Sequence, residues 1–117
     1  MDIQLHTHGF ELTDAIDAHV RRQLYLNLAN FEAHVVSVDV FLSDINGPKG
    51  GPDKKALVCI RLDSRSTVTI ERTRADLYAA ITEAARQAKR TVMRAINKYR
   101  RMEKGALREL RQVSHIH

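Results

Sequence analysis

The chain has 117 residues, one cysteine, no tryptophan and a formal net charge of +5. That length supports one domain with a core of its own and no disulfide framework. No apolar run approaches the ~20 residues that span a bilayer, and the first residues lack the basic-then-apolar order of a signal peptide, so a soluble cytoplasmic protein is expected.

Asp2 to Thr7 alternates, with Ile3, Leu5 and Thr7 on one face, and reads as a short strand ended by Gly9. Thr13 is placed to cap a helix, with Asp14 and Asp17 in its favourable first turn. Ile16, Val20, Leu24 and Leu28 then recur every four residues, carrying the helix to about Asn30. From His34 to Asp44 the alternation returns. Val36, Val38, Val40 and Leu42 face one way, and Val35, Ser37, Asp39 and Phe41 the other. Residues 46–53, NGPKGGPD, form a loop by composition. KKALVCIRLD and TVTIERT are two more strands, joined by a tight turn at Asp63 to Ser66. Cys59 lies in the first of them, where a buried thiol acts as a small hydrophobe. Thr73-x-x-Asp76 resembles a capping box and opens a long helix, with Gly105 as its first stop.

That last helix has two opposed stripes. Leu77, Ile81, Ala84, Ala88, Val92, Ala95 and Tyr99 follow three-and-four spacing and make the core face. Arg86, Arg90, Arg94 and Lys98 recur every four residues on another stripe, with Lys89 and Arg101 close by. Like charges at that spacing repel, so a polyanion is the natural compensation. Residues 1–73 hold 8 Lys/Arg against 10 Asp/Glu, while residues 74–117 hold 11 against 4. The basic character therefore belongs to the helix and tail. A membrane surface fits less well, because the other face is Ala-rich without Trp or Phe anchors.

The order β-α-β-β-β-α predicts an α+β fold: a four-stranded sheet with two helices on one face. The other face stays wet and carries Asp39, Thr67, Thr69 and Glu71. One domain over 1–104 and a C-terminal tail over 105–117 are expected. The tail's Leu107, Leu110, Val113 and Ile116 could form a short helical stripe.

Two motifs support the overall pattern: Asp76-Leu-Tyr-Ala-Ala-Ile81, opening a basic helix after three strands, and Leu12-Thr-Asp-Ala-Ile16. With Val35-Val-Ser-Val-Asp-Val40, they make the chain resemble the ribosome hibernation-promoting factor family. That family includes ribosome-associated inhibitor A and is often labelled sigma-54 modulation protein. The resemblance covers about residues 1 to 100. Thr82 stands where the family motif ends in Asp.

The resemblance implies a factor that binds the small ribosomal subunit in the messenger and transfer RNA channel and blocks translation in resting, stressed or stationary-phase cells. Arg86, Lys89, Arg90, Arg94, Lys98 and Arg101 would face ribosomal RNA, and Arg21 and Arg22 would be weaker contacts. The long form adds a dimerisation domain, for which this chain is too short. The alternatives are a double-stranded RNA-binding module and a protein-interaction domain unrelated to the ribosome. The first reads two minor grooves with separate elements, whereas here the charge concentrates on one helix. Phe41 alone does not make the aromatic pair of a base-stacking sheet.

No catalytic constellation, metal set, cofactor or small-molecule substrate is expected. Residues 47–55 fail the phosphate-loop pattern, although Lys49, Lys54 and Lys55 could touch RNA. His6 with His8, and His115 with His117, lack the further ligands that a metal needs.

Overall fold

In a computed structural model, the described residues are 1–45 and 53–115, with side chains described to Leu110. Lys49, Ile116, His117 and the side chains of Val113 and His115 lie outside what is described. The elements are β1 (Asp2–His8), α1 (Asp14–Leu28), a 3₁₀ turn (Ala29–His34), β2 (Val35–Asp44), β3 (Lys54–Leu62), β4 (Thr67–Arg74) and α2 (Leu77–His115). The strands lie side by side in chain order. β1 runs parallel to β2 through the α1 crossover, and β2, β3 and β4 are antiparallel.

Both helices cover one face of this sheet. Val38, Val40, Leu42, Val58, Ile60 and Ile70 rise from it into the core. Ile16, Val20, Leu24 and Leu28 meet them from α1. From α2 come Ala80, Ile81, Ala84, Ala85, Ala88, Val92 and Ile96. Alanine at three successive contact turns, Ala80, Ala84 with Ala85, and Ala88, brings the helix close to the strands.

Local signals set the element ends. The Thr13 side chain accepts a hydrogen bond from the Ile16 amide at 3.2 Å, capping α1 as the sequence predicts. Gly9 ends β1 with a φ of +88°, and a Cβ there would stand 3.1 Å from the Asp44 carbonyl oxygen. Both facts favour glycine there. The β3–β4 turn puts Arg65 at φ 69°, a left-handed conformation unusual outside glycine.

Several expectations need correction. A bulge between Val35 and Ser37 shifts the β2–β3 register. It turns Val35 into the core at 6% exposure and Val36 out at 49%, the reverse of simple alternation. The α-helical turns of α1 end at Leu28, and the 3₁₀ turn takes over. Thr73 remains in β4, opposite Lys55. The cap of α2 is Asp76, whose Oδ1 accepts from the Tyr78 amide at 3.1 Å. Cys59 is half-buried on the open face. There His6 stacks on Phe41 with ring centroids 4.6 Å apart, an aromatic pair the sequence hid in a histidine.

α2 also differs in length and facing. It continues through Gly105 to His115, 39 residues in all. A Cβ added at Gly105 would meet nothing within 4 Å, so no tertiary contact there ends the helix. Tyr99 is 43% exposed, and Ile96 takes the last core position. The final turns run beyond the sheet, giving a molecule 71 × 23 × 18 Å.

Two of the loop lysines are held by acids. Lys54 Nζ lies 3.1 Å from Asp44 Oδ2 and 3.3 Å from Asp53 Oδ1, and Lys55 pairs with Glu71 at 2.9 Å. The hydrogen bond to Asp44 chiefly holds the Lys54 ammonium above its ordinary value of 10.5; Asp53 adds to it against some desolvation. A raised cation pKa stabilises the fold fully below the unfolded value and is lost as pH rises through the folded one. The melting temperature of Lys54→Met is therefore expected to lie below wild type at neutral pH. The gap should narrow in strong alkali, and a constant gap would deny Lys54 this role.

Candidate nucleic-acid interface

The basic stripe lies on the side of α2 opposite the core, because Arg86, Arg90 and Arg94 fall between the buried turns of Ala84, Ala88 and Val92. Those three, together with Lys89, Lys98 and Arg101, are all exposed. Arg101 Nε leans back on the Asn97 carbonyl at 3.5 Å. The row lengthens along the overhang, where Asn97, Arg100, Arg101 and Lys104 border a shallow depression.

Lys89 sits apart from its neighbours. It lies two turns beyond Thr82, the residue that His19 of α1 reaches at 3.0 Å, and so falls on the α1 flank. Thr82 is thus a contact between the helices and not an idle surface position. The same His19 ring meets Tyr78 edge-on at 4.9 Å.

Arg21 and Arg22 are exposed on α1. Arg21 follows His19 by two residues, about 200° of helical turn, which aims it away from α2. It is also paired with Asp17 at 3.0 Å. The structure therefore does not gather it with the α2 stripe.

The sequence reading missed three contributors. Arg72 and Arg74 continue the alternation of Val68 and Ile70 past the end of the core, so both reach the helix side of the sheet. Arg74 Nε lies 2.7 Å from Glu83 Oε2. Arg72 donates to Gln87 Oε1 at 3.3 Å, and Arg90 donates to the same oxygen at 2.6 Å. Period-two counting through the end of β4 would have found the arginines. Gln87 carries no signal of its own.

Chemically, this face offers guanidinium forks and ammonium groups with few acids among them. Such groups bind phosphate oxygens, and they position a nucleic acid without reading its bases. The adjoining open sheet face has a different character: Lys55 is offset by Glu71, and Asp39 lies 3.4 Å from His6.

Comparison with known proteins follows the same line. No curated protein matches the chain. Among solved structures it is similar to the N-terminal domain of Protein Y from Thermus thermophilus, at 30% identity and a TM-score of 0.68. That match covers 80% of this chain and 98% of the other. It is also similar in fold to a ribosomal subunit interface protein from Coxiella burnetii, at 15% identity and a TM-score of 0.71. This second match covers 83% of this chain and 99% of the other. The family described as sigma 54 modulation protein / S30EA ribosomal protein matches residues 3–100, from β1 to the last core turn of α2 and its basic stripe, and the chain belongs to that family.

Proposed function

We propose that the protein is a ribosome-associated translation inhibitor. It docks on the small subunit in the messenger and transfer RNA channel, with the basic face of α2 against ribosomal RNA. It acts by occupancy and makes or breaks no bond. The observation that carries this reading is the uninterrupted cationic row of α2, from Arg86 to Arg101 and opposite the core, in a chain of a ribosomal family. The neighbour described as a ribosomal subunit interface protein shares the fold. Among the described residues no helix is long and apolar enough to cross a membrane, which fits a factor that meets ribosomes in the cytoplasm.

The test is pelleting with purified small and large subunits across a salt series. Binding is expected on small subunits, with competition from messenger and transfer RNA. If about six cations meet phosphates, the log-log salt slope is roughly −4 on the single-strand scaling. A flat salt response, or equal binding to large subunits, would reject this mode of docking.

A further inference from the structure

At the junction of β4 and α2, Arg72, Arg74, Glu83, Arg86 and Arg90 line a cleft of about 290 Å³. Four guanidiniums face one carboxylate, and Arg74 already occupies that carboxylate at 2.7 Å. Arg72, Arg86 and Arg90 thus remain as an excess of like charge in a small space.

The arrangement is also built. Gln87 Oε1 accepts from both Arg72 and Arg90, holding two guanidiniums from different elements side by side against their repulsion. Gln87 is fixed in turn: its Nε2 donates to Thr91 Oγ1 at 3.1 Å, and that hydroxyl donates to the Gln87 carbonyl at 3.0 Å. Arg72 is tied a second time, through NH1 to the Glu71 carbonyl at 2.8 Å. A charge stripe that merely attracts polyanions has no need of such fixing. A pocket that seats one tetrahedral anion does, because preorganised donors lose less freedom on binding.

We propose that Arg72, Arg86 and Arg90, with Gln87 as positioning residue, form a discrete pocket for one phosphate group of bound RNA. The inference rests on the reading of α2 as an RNA-docking face, and it gives that face a fixed anchor point. The phosphate could be a backbone diester or a terminal monoester, since both present non-bridging anionic oxygens to guanidinium donors.

Two measurements test it. The first is small-subunit pelleting across a salt series for wild type, Arg72→Met, Gln87→Ala and Lys98→Met. Arg72→Met and Gln87→Ala are each expected to weaken binding about tenfold, the order of one charge-assisted hydrogen bond. Arg72→Met should reduce the salt slope by about one, while Gln87→Ala, which removes no charge, should leave the slope unchanged. Wild-type affinity in Gln87→Ala, or a salt slope lowered in it as much as in the charge-removing Lys98→Met, would overturn the pocket.

The second measurement needs no ribosome. Inorganic phosphate is titrated while the arginine Nε–H resonances are followed by NMR. Saturable shifts confined to Arg72, Arg86 and Arg90, and weakened in Gln87→Ala, are expected. Linear shifts spread over all arginines would overturn the proposal. Saturation by phosphate without any pelleting of wild type would keep the pocket and reject the docking reading. Short RNAs with and without a 5′-phosphate then separate terminal from backbone recognition.

Discussion

Reversing Arg90 and Arg94 together to glutamate should abolish small-subunit binding while the far-ultraviolet circular dichroism stays that of the wild type. Both side chains are exposed on the face of α2 opposite the core, so neither holds the fold together. Each reversal removes a charge-assisted contact worth about 1.5–3 kcal/mol and places an anion against phosphate. Two such changes weaken binding by more than about two orders of magnitude. Normal pelleting of the double variant would mean that another surface docks. Loss of helical signal would mean that the outward face had been misassigned.

The largest stability effect is expected at Leu24. It is 1% exposed, in the row of α1 that enters the core. Leu24→Ala should cost about 2–5 kcal/mol through lost burial and the cavity left behind. That is a large share of the ~5–15 kcal/mol that holds a domain together. Leu26, two positions along the same helix, is 69% exposed, and its alanine variant should stay within about 0.5 kcal/mol of wild type. Chemical denaturation of the pair checks the facing of the helix with the residue type held constant. Equal losses would place the core boundary wrongly.

The readable parts of the fold were those where one rule acts alone. The fourfold recurrence from Ile16 to Leu28 has no competitor, and Thr13 caps it as its side chain dictates. Simple alternation fails at the start of β2 because a bulge breaks it, and nothing in Val35-Val36 marks which valine goes inward. The spacing of Thr73 to Asp76 matches a capping box. Pairing with β3 holds Thr73 in the sheet for one residue more, and tertiary pairing outweighs a local motif.

The candidate site divides the same way. The arginine row of α2 is a spacing, and spacing is visible in sequence. The contribution of β4 is an adjacency of distant segments, and Gln87 matters only because Arg72 arrives beside it. Arg21 shows the converse. It looked like part of a basic surface, but the flank on which it sits depends on where the second helix packs. His19 reveals that only in the folded chain.

The overhang of α2 has a hydrodynamic consequence. The radius of gyration is 18.3 Å, whereas a compact chain of this length scales to roughly 13 Å. A single copy therefore diffuses and tumbles as a rod. Its friction along the long axis differs from that across it, and it leaves a sizing column ahead of globular standards of equal mass. Elution volume alone would report an association that need not exist. Sedimentation equilibrium, which weighs the particle without regard to its outline, separates a lone elongated chain from a true pair.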